Sequence, residues 1–76
     1  MQNRHENRYV QLGLNIAYYR KLKGLTQMQL SEVVGISRTH MSNIEATNVE
    51  KSVSLNVLFD IAEVLDVEPS KLLEIR

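Results

Sequence analysis

The chain has 76 residues, nine cationic and nine anionic side chains, a formal net charge of zero and no cysteine. That length makes one domain near the lower limit for folding on its own core. The composition excludes disulfide staples, thiolate metal sites, a secretory leader (the N-terminus has no apolar h-region) and a membrane span of about 18 apolar residues, so a cytoplasmic location is expected. Through Ile44 six cations face two carboxylates, a net +4; from Glu45 onward three cations face seven carboxylates, a net −4. Such a basic half suits a polyanion partner, whereas even scatter of surface charge would suit none.

The apolar positions recur every three to four residues and do not alternate, so helices are expected throughout and strands nowhere. Residues 1–7 read as a flexible polar tail, and residues 8–76 as a single domain. The first helix is predicted over about Arg8 to Lys23. Leu12, Ile16 and Tyr19 share a face with Leu22 nearby, cations fill the last turn, and Gly24 follows as a stop. Thr26 followed by Gln29 is a capping box, which starts a second helix over Gln27 to about Val34 with Leu30, Val33 and Val34 as its apolar face. Gly35 ends it. Ser37 caps a third helix reaching about Ala46, in which only Met41 and Ile44 are plainly apolar. A polar loop leads to Ser54, the cap of a fourth helix with a stripe of Leu55, Leu58, Ile61, Ala62 and Leu65. Asp66 interrupts it. Pro69 suits the first turn of a short fifth helix carrying Leu72, Leu73 and Ile75.

Helices two and three are each too short to be stable alone in water. They are joined at one glycine, and the second is polar on its outer side, which matches a helix-turn-helix motif over about residues 26–45. With Arg20, the block "LTQMQLSEVVGISRTHMSNIE" (Leu25–Glu45) and the block "SLNVLFDIAEVLDVEPSKLL" (Ser54–Leu73), the chain resembles the Cro/repressor, or Xre, class of helix-turn-helix DNA-binding domains. The resemblance implies an all-α, five-helix, lambda-repressor-like domain whose third helix lies in the major groove, where each base pair has a distinct donor and acceptor pattern.

On that helix the residue chemistry suits base reading. Arg38 can pair bidentately with guanine, Thr39 can hydrogen-bond or meet a thymine methyl, Asn43 suits adenine, and Ser42 offers a shorter contact. Ser37 and the helix-start N–H groups suit phosphate, and His40 is expected to be packed or beside a phosphate. The resemblance further implies that Gln27 contacts phosphate and braces a recognition-helix side chain, with Asn43 in the matching position. It implies that Arg20 and Glu45 form a partly buried salt bridge. It also implies that the following loop, through Thr47, Asn48, Lys51 and Ser52, meets the DNA backbone.

No metal-ligand, phosphate-loop or nucleophile pattern appears, so neither an enzyme, a cofactor nor a metal is expected. Glu63, Asp66 and Glu68 read as solvated carboxylates. Val57, Phe59 and Val64 lie off the main stripe of the fourth helix and are the candidates for a homodimer face, since one helix-turn-helix reads only a few base pairs and a two-fold pair reads an inverted-repeat operator. The expected function is a sequence-specific transcriptional regulator, a repressor, on double-stranded DNA. The alternative is an antitoxin-like or adaptor module on the same fold, which binds a protein partner.

Overall fold

The computed structural model describes residues 5–47 and 52–75. They form five helices in chain order: α1 Glu6–Leu22, α2 Gln27–Val34, α3 Arg38–Glu45, α4 Leu55–Leu65 and α5 Pro69–Leu72. No strand occurs among the described residues. Helix α1 starts earlier than the polar tail suggested: Glu6 and Asn7 are already helical, and the Glu6 carboxylate in the first turn suits the positive end of the helix dipole.

The helix boundaries follow from local chemistry. At the start of α2 both halves of the capping box are made: the Gln29 N–H donates to Thr26 Oγ1 at 3.0 Å, and the Thr26 N–H donates to Gln29 Oε1 at 2.9 Å. Ser37 accepts from the His40 N–H to start α3, and Ser54 accepts from the Val57 N–H to start α4. Gly35, at φ 87°, turns the chain out of α2 in the left-handed region that a glycine enters without steric cost. Asp66 does the same for α4 at φ 58°, in a conformation its short polar side chain tolerates.

One core joins all five elements: Leu12 and Ile16 of α1, Leu30 of α2, Met41 and Ile44 of α3, Leu58, Ile61, Ala62 and Leu65 of α4, and Leu72 of α5. It is smaller than the apolar pattern suggested. Leu22, Val33, Leu55, Leu73 and Ile75 are exposed. In α2 the inward arc is Leu30, Ser31 and Val34. Val33 is turned out to 65 % exposure, and Ser31 takes the buried place because its hydroxyl donates back to the Met28 carbonyl at 2.8 Å. Asn15 is a second buried polar side chain. Its Nδ2 donates to the carbonyls of Leu72 (3.0 Å) and Glu74 (2.8 Å), and its Oδ1 accepts from Gln11 (2.9 Å). Asn15 thereby ties the C-terminal segment to α1 across 57 residues of sequence. No helix of the described residues is long and apolar enough to cross a membrane.

Candidate nucleic-acid interface

Helix α3 divides cleanly. Met41 and Ile44 are buried, while Arg38, Thr39 and Asn43 are exposed and Ser42 is half-buried. At ~100° per residue, Arg38, Thr39, Ser42 and Asn43 share the arc opposite Met41 and Ile44. The four expected base-reading residues therefore stand together on one outward face. His40 is exposed rather than packed, and it lies off that arc. Ser37 is exposed at the start of the helix, with its hydroxyl already accepting from the His40 N–H. Two anchors hold the polar arc outward: Met41 and Ile44 in the core, and Glu45 at the helix end.

Glu45 is the hub of a polar bracket. Arg20 Nε donates to Glu45 Oε2 at 2.7 Å and Arg20 Nη2 donates to Glu45 Oε1 at 3.0 Å, the two-pronged geometry natural to a guanidinium on a carboxylate. Arg20 Nη1 donates to the Leu25 carbonyl at 2.7 Å. The two side chains are 10 % and 5 % exposed. The bracket thus ties the end of α1 to the α1–α2 connection and to the end of α3. Arg20 is consumed in these bonds and contributes no free cation to the surface.

Gln27 is placed differently from expectation. Half-buried at the start of α2, it gives its Nε2 to Glu45 Oε1 at 3.0 Å, so its brace partner is Glu45 and not Asn43. The physical reason is reach and complementarity. Glu45 is an acceptor-only group at the inner side of α3, whereas the shorter Asn43 is exposed to solvent. A Gln at a helix start carries no local signal for this contact, which reaches a residue on another helix.

Thr47 and Ser52 are exposed; Asn48 and Lys51, the other expected loop contacts to phosphate, lie outside the described residues. Of the residues expected to form a dimer face, Val57 and Val64 are half-buried and pack against the core, while Phe59 is 50 % exposed. Of the three, Phe59 alone is exposed. Among the described residues no group of three or more His, Cys, Asp or Glu side chains is arranged to hold a metal ion.

Comparison with known proteins gives a consistent answer. The helix-turn-helix family matches residues 16–72. Control protein C.SmaI of Serratia marcescens is 36 % identical over 62 residues, covering 82 % of this chain and 71 % of that protein. The HTH-type transcriptional regulator SinR of Bacillus subtilis is 35 % identical over 63 residues, covering 83 % of this chain but only 56 % of SinR. Among solved structures, the biofilm master regulator SinR in complex with DNA superposes with a TM-score of 0.76 at 35 % identity, covering 83 % of this chain and 98 % of that one. The restriction-modification controller protein C.AhdI of Aeromonas hydrophila gives 0.76 at 31 % identity, covering 84 % and 94 %.

Proposed function

The chain belongs to the helix-turn-helix family, and from that premise we propose that it is a DNA-binding transcriptional regulator that acts by occupying an operator. The observation that carries this is the outward polar arc of α3, with Arg38, Thr39 and Asn43 exposed and Ser42 half-buried, held in place by the Glu45 bracket beneath it. The similar SinR is solved with DNA, which supports the same partner here. In this reading α3 enters the major groove. Arg38 reads guanine, Asn43 reads adenine, and Thr39 and Ser42 add shorter contacts. Ser37, His40 and the start of α2 at Gln27 lie against phosphate, joined by Asn48 and Lys51. Residues 8–76 act as the DNA-binding domain. Two copies related by a two-fold axis read an inverted repeat with half-sites about 34 Å apart. Bound over a promoter, such a pair represses by exclusion.

Selection of bound duplexes from a random pool, followed by a salt titration on the selected site, tests the proposal. An enriched inverted repeat is expected, with log affinity falling linearly in log salt by roughly 0.9 for each phosphate neutralised. A pool that enriches no sequence, or an affinity indifferent to salt, overturns it.

A further inference from the structure

A crevice of about 250 Å³ opens between the start of α1, the start of α4 and the C-terminal segment. Leu12 and Leu58, each 4 % exposed, form its floor, and Tyr9, Leu55 and Leu73 stand around it. Each wall is held without help from an occupant. Tyr9 packs against the core, the Ser54 hydroxyl caps the turn of α4 that carries Leu55, and Asn15 holds the carbonyls of Leu72 and Glu74 on either side of Leu73. The exposed Leu22, Met28 and Val33 belong to the end of α1 and to α2 and line no part of it. Scattered apolar side chains of that kind are ordinary on a protein surface, whereas a pre-formed apolar concavity is the usual form of a ligand site.

We propose that this crevice binds a medium-chain carboxylate, with the hydrocarbon chain on the leucines and the carboxylate at Arg8. Size sets the body of the ligand. An apolar cavity on the order of 150 Å³ accepts benzene, so this one holds roughly eight to ten carbon atoms. The same size sets aside a docked helix, whose width of about 10 Å exceeds such a space. A linear chain bends to follow walls that come from three separate segments. Charge sets the head. Arg8, in the first turn of α1, lines the crevice, and no carboxylate of the described residues does. A guanidinium meets a carboxylate in two parallel hydrogen bonds, a geometry that a neutral or cationic head does not offer. None of the residues on the polar arc of α3 lines the crevice, so the site stands whether or not the chain reads DNA.

Titration of the whole chain with sodium octanoate, followed through the leucine and valine methyl resonances, tests it. Saturable shifts are expected at Leu12, Leu55, Leu58 and Leu73, with Leu22 and Val33 unmoved. The dissociation constant should be about 1 mM or below, as the affinity per heavy atom of a small ligand allows. Butyrate, four methylenes shorter, binds at least about tenfold more weakly. 1-Octanol, which lacks the charge, binds about threefold more weakly, the size expected of an ion pair open to solvent. Arg8→Gln brings octanoate down to the level of octanol and leaves octanol as it was. Leu73→Gln, at an exposed position, weakens both while the melting temperature stays at the parental value. The absence of saturable shifts with octanoate, equal shifts at Leu22 and Val33, or octanol held as tightly as octanoate overturns the proposal. So does an Arg8→Gln or a Leu73→Gln chain that binds octanoate like the parent.

Discussion

Gln27 Nε2 donates to Glu45 Oε1 at 3.0 Å, so the first residue of α2 and the last residue of α3 meet on the carboxylate that Arg20 also holds. A carboxylate only accepts, so the Gln27 amide has one workable orientation here, nitrogen inward. The two helices of the motif are thereby fixed to each other at their far ends as well as through Gly35. The angle at which α3 leaves the surface, on which any groove contact depends, is set by this bracket.

Gln27→Glu puts a second carboxylate against Glu45 and removes the donor. The expected loss is about 1–3 kcal/mol of stability at neutral pH, the cost of an unsatisfied buried polar contact. Gln27→Ala, which leaves Glu45 to Arg20 alone, costs less. Urea unfolding followed by circular dichroism measures both. Equal midpoints for the parent and the Glu variant detach Gln27 from the bracket.

Arg20→Ala strands Glu45, a side chain 5 % exposed, without its countercharge. Breaking one partner of such a buried pair costs about 3–5 kcal/mol, a large share of what so small a domain possesses. Arg20→Lys keeps the charge but loses the two-pronged geometry and the Leu25 contact, and falls between. The measurement is the unfolding midpoint alongside DNA affinity well below it. A variant that melts like the parent yet no longer binds DNA makes Arg20 a ligand and not a strut.

Much of this architecture is legible in the sequence because helix starts are local matters. Thr26, Ser37 and Ser54 each sit within three residues of the N–H group they cap, so short-range chemistry announces them. The polar arc of α3 is legible for a similar reason, since Met41 and Ile44 alone define its buried side. What the residue pattern misses depends on distant neighbours. Val33 and Ser31 exchange places because the facing helices choose which arc of α2 is covered, and an apolar count cannot see them. Leu55 and Leu73 look like core and line a surface crevice, because the α4–α5 end has too little partner surface to cover them. The Gln27 contact spans 18 residues and the Asn15 clasp 57, beyond any local motif.

Arg38→Ala is expected to cost about 1–3 kcal/mol at the selected site and to relax base preference at one position of each half-site. Because Arg38 is exposed and packs against nothing in the core, the melting temperature should stay within a few degrees of the parent. Competition binding with the selected duplex and with single-base variants decides the matter. If the variant loses affinity for every duplex by the same factor, Arg38 contacts phosphate and reads no base.

Asn15→Asp isolates the clasp with almost no change of shape. The amide donor becomes a carboxylate facing the carbonyls of Leu72 and Glu74, which are also acceptors. The ionised form is disfavoured by burial and by those oxygens, so the variant's carboxyl titrates higher folded than unfolded, where it sits near 3.9. Only the protonated form donates. The variant's own contribution to stability is therefore present at low pH and lost as pH rises through its folded value. Compared with the parent at each pH, its deficit in unfolding free energy should be largest near pH 7 and shrink toward pH 4. Taking the difference from the parent at each pH removes the acid sensitivity that both proteins share. A deficit constant across that range means the side-chain nitrogen of Asn15 does not hold the C-terminal segment, and the wall formed by Leu73 has another support.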